Sequence, residues 1–217
     1  MYIRPDNNSV TMKKLLCYFS LMLLLAQSSY GQQTFHVGLP RDYFGFYAAD
    51  QVGSGWCWAA SLQMIFNHYG VYLDQQKIIN RIFSNHPGND LSNWEDSLRL
   101  IQSNIKKWTI NENVPEAKVR ASLTIGPPTA LFLIDELTNL RPVLIGYRSG
   151  TNHVRALIVT ACNYTQTQEG FKIQEIEVRD PHPSKQNIAN SGRVDYVISD
   201  LDRDNLIIAF WNLQIEE

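Results

Sequence analysis

Two β-type runs separated by six residues constrain the fold of this chain more than any other feature. "HVRALIVTACNY" (His153 to Tyr164) is apolar along most of its length, and "FKIQEIEVRD" (Phe171 to Asp180) alternates cleanly. That alternation is the signature of a half-buried strand. Joined by so short a link, the two pair as an antiparallel hairpin, which sets the start of one beside the end of the other. His153 and Asp180 become neighbours by that geometry alone. A further β-type run, "RPVLIGYR" (Arg141 to Arg148), precedes the hairpin across the turn "SGTN", and "VDYVISDL" and "NLIIAFWNLQ" follow it. The second half of the chain therefore reads mainly as strand.

The first half reads as helix. From Trp58, apolar residues fall at Leu62, Ile65, Phe66 and Tyr69, spacings of 4, 3, 1 and 3 that trace one helical face, with Gly70 as the stop. A second helix is expected over Asp74 to Phe83. A third runs from Ser92 to Ser103, opened by the capping-box pair Ser92 and Glu95, with "NHPGND" (Asn85 to Asp90) as the loop between. A fourth lies near Thr129 to Leu140. Helices first and an antiparallel sheet after them give an α+β architecture. There are no internal repeats and no linker-like stretch, and 217 residues suffice for one core or two small lobes sharing one.

The first 31 residues stand apart from this pattern. Lys13 and Lys14 precede an apolar run of 12, "LLCYFSLMLLLA" (Leu15 to Ala26), and Ser29 and Gly31 supply small residues at −3 and −1 for cleavage before Gln32. That is the layout of a secretory signal peptide, too short in its apolar part to span a bilayer comfortably. The mature domain, 32–217, is expected to be secreted, periplasmic or extracellular, with no membrane attachment after cleavage. Cys17 lies inside the discarded run, so two cysteines remain, Cys57 and Cys162. With 18% charged residues and a net charge of −2, nothing marks a nucleic-acid partner. No pair of cysteines or histidines has ligand spacing, so neither a metal nor another cofactor is expected.

Cys57 sits between Trp56 and Trp58 at the first turn of the expected helix, behind Gly53, Ser54 and Gly55. Free N–H groups and the dipole at a helix start lower a thiol pKa, and the thiolate is the nucleophile. The two glycines let backbone pass close to a bound substrate. A small core residue on a tryptophan-rich helix is the plain alternative. A thiolate also needs a base. His68 lies eleven residues beyond Cys57 on the same helix, roughly 16 Å along its axis. His86 falls in a Pro-Gly loop, and His182 stands between two prolines. His153 opens an apolar strand, where an imidazole can face a cleft while its neighbours pack. Asp180 would then orient it, although Asp-Pro also starts turns on its own account.

The order Cys57, His153, Asp180, with Gln51 six residues before the cysteine, resembles papain-like cysteine peptidases. The block Q-x5-C-W-A-A-S is similar to the secreted bacterial branch, which includes effector proteases of plant pathogens. The resemblance runs from about Gln51 to Trp211 and is most specific in the Gln51–Ser61 block. It implies a papain-like fold, in which a helical N-terminal lobe carrying the nucleophile packs on an antiparallel β-sheet lobe and the active site lies in the cleft between them. It further implies that Gln51 and the Cys57 backbone N–H form the oxyanion hole, that His153 is the base and that Asp180 orients it. Ser54 stands where plant and animal papains carry a disulfide cysteine, and Asp180 where they usually carry asparagine. Trp211 is placed either to shield the His–Asp pair or in the core.

The implied activity is hydrolysis of peptide bonds in a protein or peptide substrate by a monomer. Transglutaminase-like or amidase acyl transfer by the same residues stays open, as does a non-catalytic papain-like domain that binds a partner protein. The stretch between Gln32 and Gln51 is too short for a separate inhibitory propeptide.

Overall fold

In a computed structural model of the chain the hairpin is present, and longer than the sequence runs suggest. Val154–Thr167 pairs antiparallel with Gly170–Arg179, with Ile158 opposite Arg179 and Thr167 opposite Gly170. The chain divides into two units, Met1–Gln33 and Thr34–Glu217. Residues 33–84, 94–106, 108–111, 117–148, 154–184, 192–197 and 206–216 are described. The expected signal segment, 1–31, lies outside the described residues, as do His153, His86, Ser92 and the turn and loop at 149–152 and 85–90.

In chain order the elements are β1 (Thr34–Gly38), α1 (Arg41–Gly45), α2 (Cys57–His68), α3 (Gln75–Phe83), α4 (Trp94–Ile105), β2 (Thr109–Ile110) and β3 (Ala117–Ile125). They continue with α5 (Ala130–Thr138), β4 (Val143–Arg148), β5 (Val154–Thr167), β6 (Gly170–Arg179), β7 (Arg193–Val197) and β8 (Ile207–Glu216). The strands form one antiparallel sheet in the order β2-β3-β8-β4-β5-β6-β7, with β1 pairing β5 off that path. The helices of the first half pack on it, α2 against β5 and α4 against β3, with α3 between them. This is the α+β arrangement expected.

Local chemistry explains the helix boundaries. Asp74 caps α3 by accepting from the Lys77 N–H at 2.7 Å, and Thr129 caps α5 by accepting from the Phe132 N–H at 3.2 Å. Each satisfies an amide that the first turn leaves without a partner. α2 starts at Cys57 and ends at His68, just before the turn through Gly70. Leu62, Ile65 and Phe66 are buried on it as the spacing predicts, and Ala59, Ala60 and Met64 are buried too, so α2 is enclosed on more than one face.

The division into helices first and sheet afterwards is corrected in one respect. Three strands, β1, β2 and β3, precede α5. β1 is five residues long, and β3, "AKVRASLTI", alternates apolar and polar residues and buries Ala117 and Val119. The β3 alternation is a strand signal that the sequence reading passed over, but burial of two residues alone does not anchor its full length. β3 is held instead by its partner, pairing with β8 from Lys118↔Glu216 to Ile125↔Ala209.

Trp211 is a core residue. It lies opposite Leu123 on one side and Leu144 on the other and is 2% exposed. Three strand spacings, roughly 14 Å, separate it from Arg179 at the end of β6. It is therefore remote from Asp180.

Candidate active site

The site lies where the first turn of α2 meets the start of β5. Two residues one helical turn apart grip Ala156: Cys57 Sγ accepts from the Ala156 N–H at 3.4 Å, and Ser61 Oγ donates to the Ala156 carbonyl at 3.1 Å. Spacing i, i+4 puts both on one face of the helix. Ser61 is fully buried, so leaving that hydroxyl without a partner would cost about 1–3 kcal/mol. The contact fixes α2 against the strand that begins one residue after His153.

Trp56 makes no side-chain capping bond at the start of α2. The first-turn amides, the Cys57 N–H among them, therefore find no acceptor within the helix. On the approach to that helix, a β-carbon on Gly53 would lie 2.6 Å from the Trp56 indole, so the missing side chain makes room for the tryptophan. Trp58, on the other side of Cys57, meets Phe83 of α3 edge-on at 6.0 Å. The two tryptophans thus hold the turn from opposite sides.

Gln51 is tied down on both flanks. Its N–H donates to the Pro181 carbonyl at 2.8 Å. The buried Gln75 side chain donates to the Asp50 carbonyl at 2.8 Å and accepts from the Val52 N–H at 3.0 Å. The Gln51 side chain itself donates to the Gly53 carbonyl at 3.3 Å. An amide Nε2 carries two hydrogens, so one remains for another acceptor.

Asp180 follows β6 directly and is 5% exposed. Its Oδ1 accepts from the guanidinium of Arg155 and, at 2.9 Å, from the His182 N–H. The second bond is a local turn contact of the Asx kind, so the turn-forming reading of Asp-Pro holds. The Asp180 backbone N–H donates to the Gly192 carbonyl at 2.7 Å, and a β-carbon on Gly192 would fall 2.4 Å from the Asp180 carbonyl oxygen. Only glycine fits that approach, at φ +71°. Through Pro181, the segment that carries Asp180 also holds Gln51.

Electrostatics correct the expectation that the helix start makes Cys57 a low-pKa thiol. Burial pushes the thiol up and outweighs the rest. The Ala156 amide, the Arg155 charge and the Trp58 amide pull it down, while the Asp180 charge raises it. The helix-start amide does act as expected, but it cannot offset desolvation. Cys162, fully buried in β5, is pushed up to about 12 by burial alone. Both thiols are free.

Three of the four residues expected in the site, Cys57, Gln51 and Asp180, share one connected set of contacts. The fourth, His153, lies outside the described residues. None of the described histidines competes for its place. His36 is exposed and its Nδ1 meets Asn163 Oδ1 at 2.8 Å. His68 is packed among Tyr43, Phe44, Tyr47 and Tyr69, its Nε2 bonded to the Leu140 carbonyl at 3.0 Å. His182 is exposed, and its backbone N–H serves Asp180. Sequence reasoning missed Arg155, Ser61 and Gln75. Arg155 had a signal, being the charged residue in an otherwise apolar strand run; Gln75 had none.

No family model and no curated protein matches the chain. Among solved structures, it is similar to the peptidase domain of Streptococcus ComA, a bifunctional ABC transporter involved in a quorum-sensing pathway. That similarity has 11% sequence identity and a TM-score of 0.47, and covers 76% of this chain and 96% of that domain. Among the described residues, no helix is long and apolar enough to cross a membrane.

Proposed function

We propose that the chain is a secreted papain-like cysteine peptidase that hydrolyses peptide bonds through Cys57. The observation that carries this reading is the sulfur at the start of α2, held against β5 beside a fixed Gln51 and a fixed Asp180. The block Q-x5-C-W-A-A-S supports it from the sequence side. In this reading Cys57 attacks the scissile carbonyl. The Cys57 N–H and the remaining Gln51 N–H hold the oxyanion, which typically is worth 10²–10³ in rate per donor, about 2.7–4 kcal/mol. His153 takes the thiol proton and returns it to the leaving amine, and water then releases the acyl group. His153 precedes Ala156 by three residues, so chain connectivity limits their Cα separation to roughly 10 Å. Asp180 orients the imidazole.

The raised thiol pKa fits a nucleophile activated by a base rather than one resting as a free thiolate. The signal segment is removed before Gln32, and the domain acts outside the cytoplasm as a monomer. The N-terminal sequence of the exported protein tests that cleavage directly.

Digestion of a peptide library by wild type and by Cys57→Ala tests the activity. New termini with wild type and none with the variant are expected. Cleavage by Cys57→Ala at the wild-type rate sinks the assignment. Acyl transfer to an added amine in place of hydrolysis would favour the transglutaminase-like class.

A further inference from the structure

Gln75 stands outside the residues that the peptidase reading uses, yet it meets the site at three points. It is the first residue of α3, 4% exposed, and every polar atom of its side chain is engaged. Its Nε2 donates to the Asp50 carbonyl at 2.8 Å and to Gln63 Oε1 at 3.0 Å, and its Oε1 accepts from the Val52 N–H at 3.0 Å. A carbonyl can only accept and an amide N–H can only donate, so these partners fix which way the side-chain amide points. The first and third contacts bracket Gln51. The second reaches α2, the helix that begins with Cys57. The capped start of α3 supplies a rigid base for all three.

We infer that Gln75 is a positioning residue of the oxyanion hole: by bridging the backbone on both sides of Gln51 to the nucleophile helix, it fixes the Gln51 amide relative to Cys57. This rests on the reading of Gln51 and Cys57 as the oxyanion donors. A buried amide with its three bonds made is costly to displace, so Gln51 is held before substrate arrives. Such preorganisation is what gives an oxyanion donor its effect.

The test compares two reactions of the same sulfur. Acylation of Cys57 by p-nitrophenyl acetate, followed by nitrophenolate release, passes through an oxyanion. Alkylation by iodoacetamide does not. Gln75→Met keeps side-chain length without the hydrogen bonds. It should slow acylation about 10–100-fold, part of the loss from removing a donor outright, and leave alkylation within about twofold. In a Gln51→Ala background, Gln75→Met should slow acylation no further, because a residue that acts through another adds nothing once that other is gone. Gln63→Met removes only the tether to α2 and should show the same pattern at smaller size, which keeps the test available if Gln75→Met fails to fold.

Equal loss of acylation and alkylation means that Gln75 merely supports the helix and overturns the inference. So does an equal loss of acylation in both backgrounds, or acylation that Gln75→Met leaves intact while Gln51→Ala impairs it. If Gln51→Ala acylates at the wild-type rate, the oxyanion reading of Gln51 fails and this inference falls with it.

Discussion

Two thiols lie against the same strand and differ in almost everything that governs reactivity. Cys57 touches β5 at Ala156, near its start; Cys162 belongs to β5 itself, in the middle of the core. Burial pushes both pKa values up. At Cys162 nothing opposes it, whereas at Cys57 two backbone amides and the Arg155 guanidinium do. A buried sulfur is inert by default. What separates a nucleophile from core packing is the set of donors and cations aimed at it, along with access from solvent.

Iodoacetamide gives the largest contrast. Cys162 reacts only when the core opens, and an opening that costs about 4 kcal/mol slows it about 10³-fold relative to an accessible thiol, at tenfold per 1.4 kcal/mol. Mass spectrometry of the folded protein should therefore find Cys57 labelled and Cys162 untouched. Comparable labelling of the two would erase the distinction drawn between them.

Asp180 tests the next layer. Asp180→Asn keeps the turn but removes the charge, and turnover should fall roughly 10–100-fold, milder than for a serine-protease triad. Asp180→Ala should cost more turnover and also lower the melting temperature, because it strands Arg155. The stability loss should stay below the roughly 3–5 kcal/mol of a fully buried broken pair, since Arg155 keeps contact with water. Folded Asp180→Ala with normal turnover would leave Asp180 as a turn residue alone.

Arg155→Met removes one of the groups that pull the Cys57 thiol down. The pH at which iodoacetamide labelling reaches half its maximum should then rise, while Arg155→Lys should restore much of the wild-type value. An unmoved midpoint would leave Arg155 with a structural role only.

The smallest effect concerns how such profiles are read at acid pH. Burial lowers the His68 pKa below its ordinary 6.5, so the unfolded chain takes up that proton first. Stability should therefore decline as pH falls below about 6.5 and be unaffected by this group above it. Melting temperatures of His68→Gln should vary less over that range. If they track wild type, acid loss of activity belongs to the site itself.

The sequence made the hairpin, the sheet strands of the second half and three helix starts legible, because each rests on local pattern or capping. Gln51, Cys57 and Asp180 were singled out from motif and strand pattern, and the structure brings them into one connected set of contacts. The contacts that join them were not, since the Gln75 side chain reaches backbone atoms of Asp50 and Val52, and Pro181 acts through its own carbonyl, groups that any residue possesses. The packing of Trp56 against Gly53 was hidden for a related reason: a glycine announces close approach but not what approaches. β1 is too short to stand out, whereas β3 carries the alternation of a strand and was passed over.

The pairing of β1 has a consequence for how much of the chain can be trimmed. β4 pairs with β5 from Val154 to Val159, and β1 takes over the same edge from Ala161 to Thr165, with Leu39 donating to the Thr160 carbonyl between them. Without β1, the far half of β5 would present a bare row of backbone donors and acceptors, the kind of template on which chains stack into aggregates. The cleavage proposed before Gln32 would leave that cover in place. A cut a few residues further on, past Gly38, would turn a protected strand into a sticky one, so the solubility of the mature protein should depend sharply on where its first residue falls.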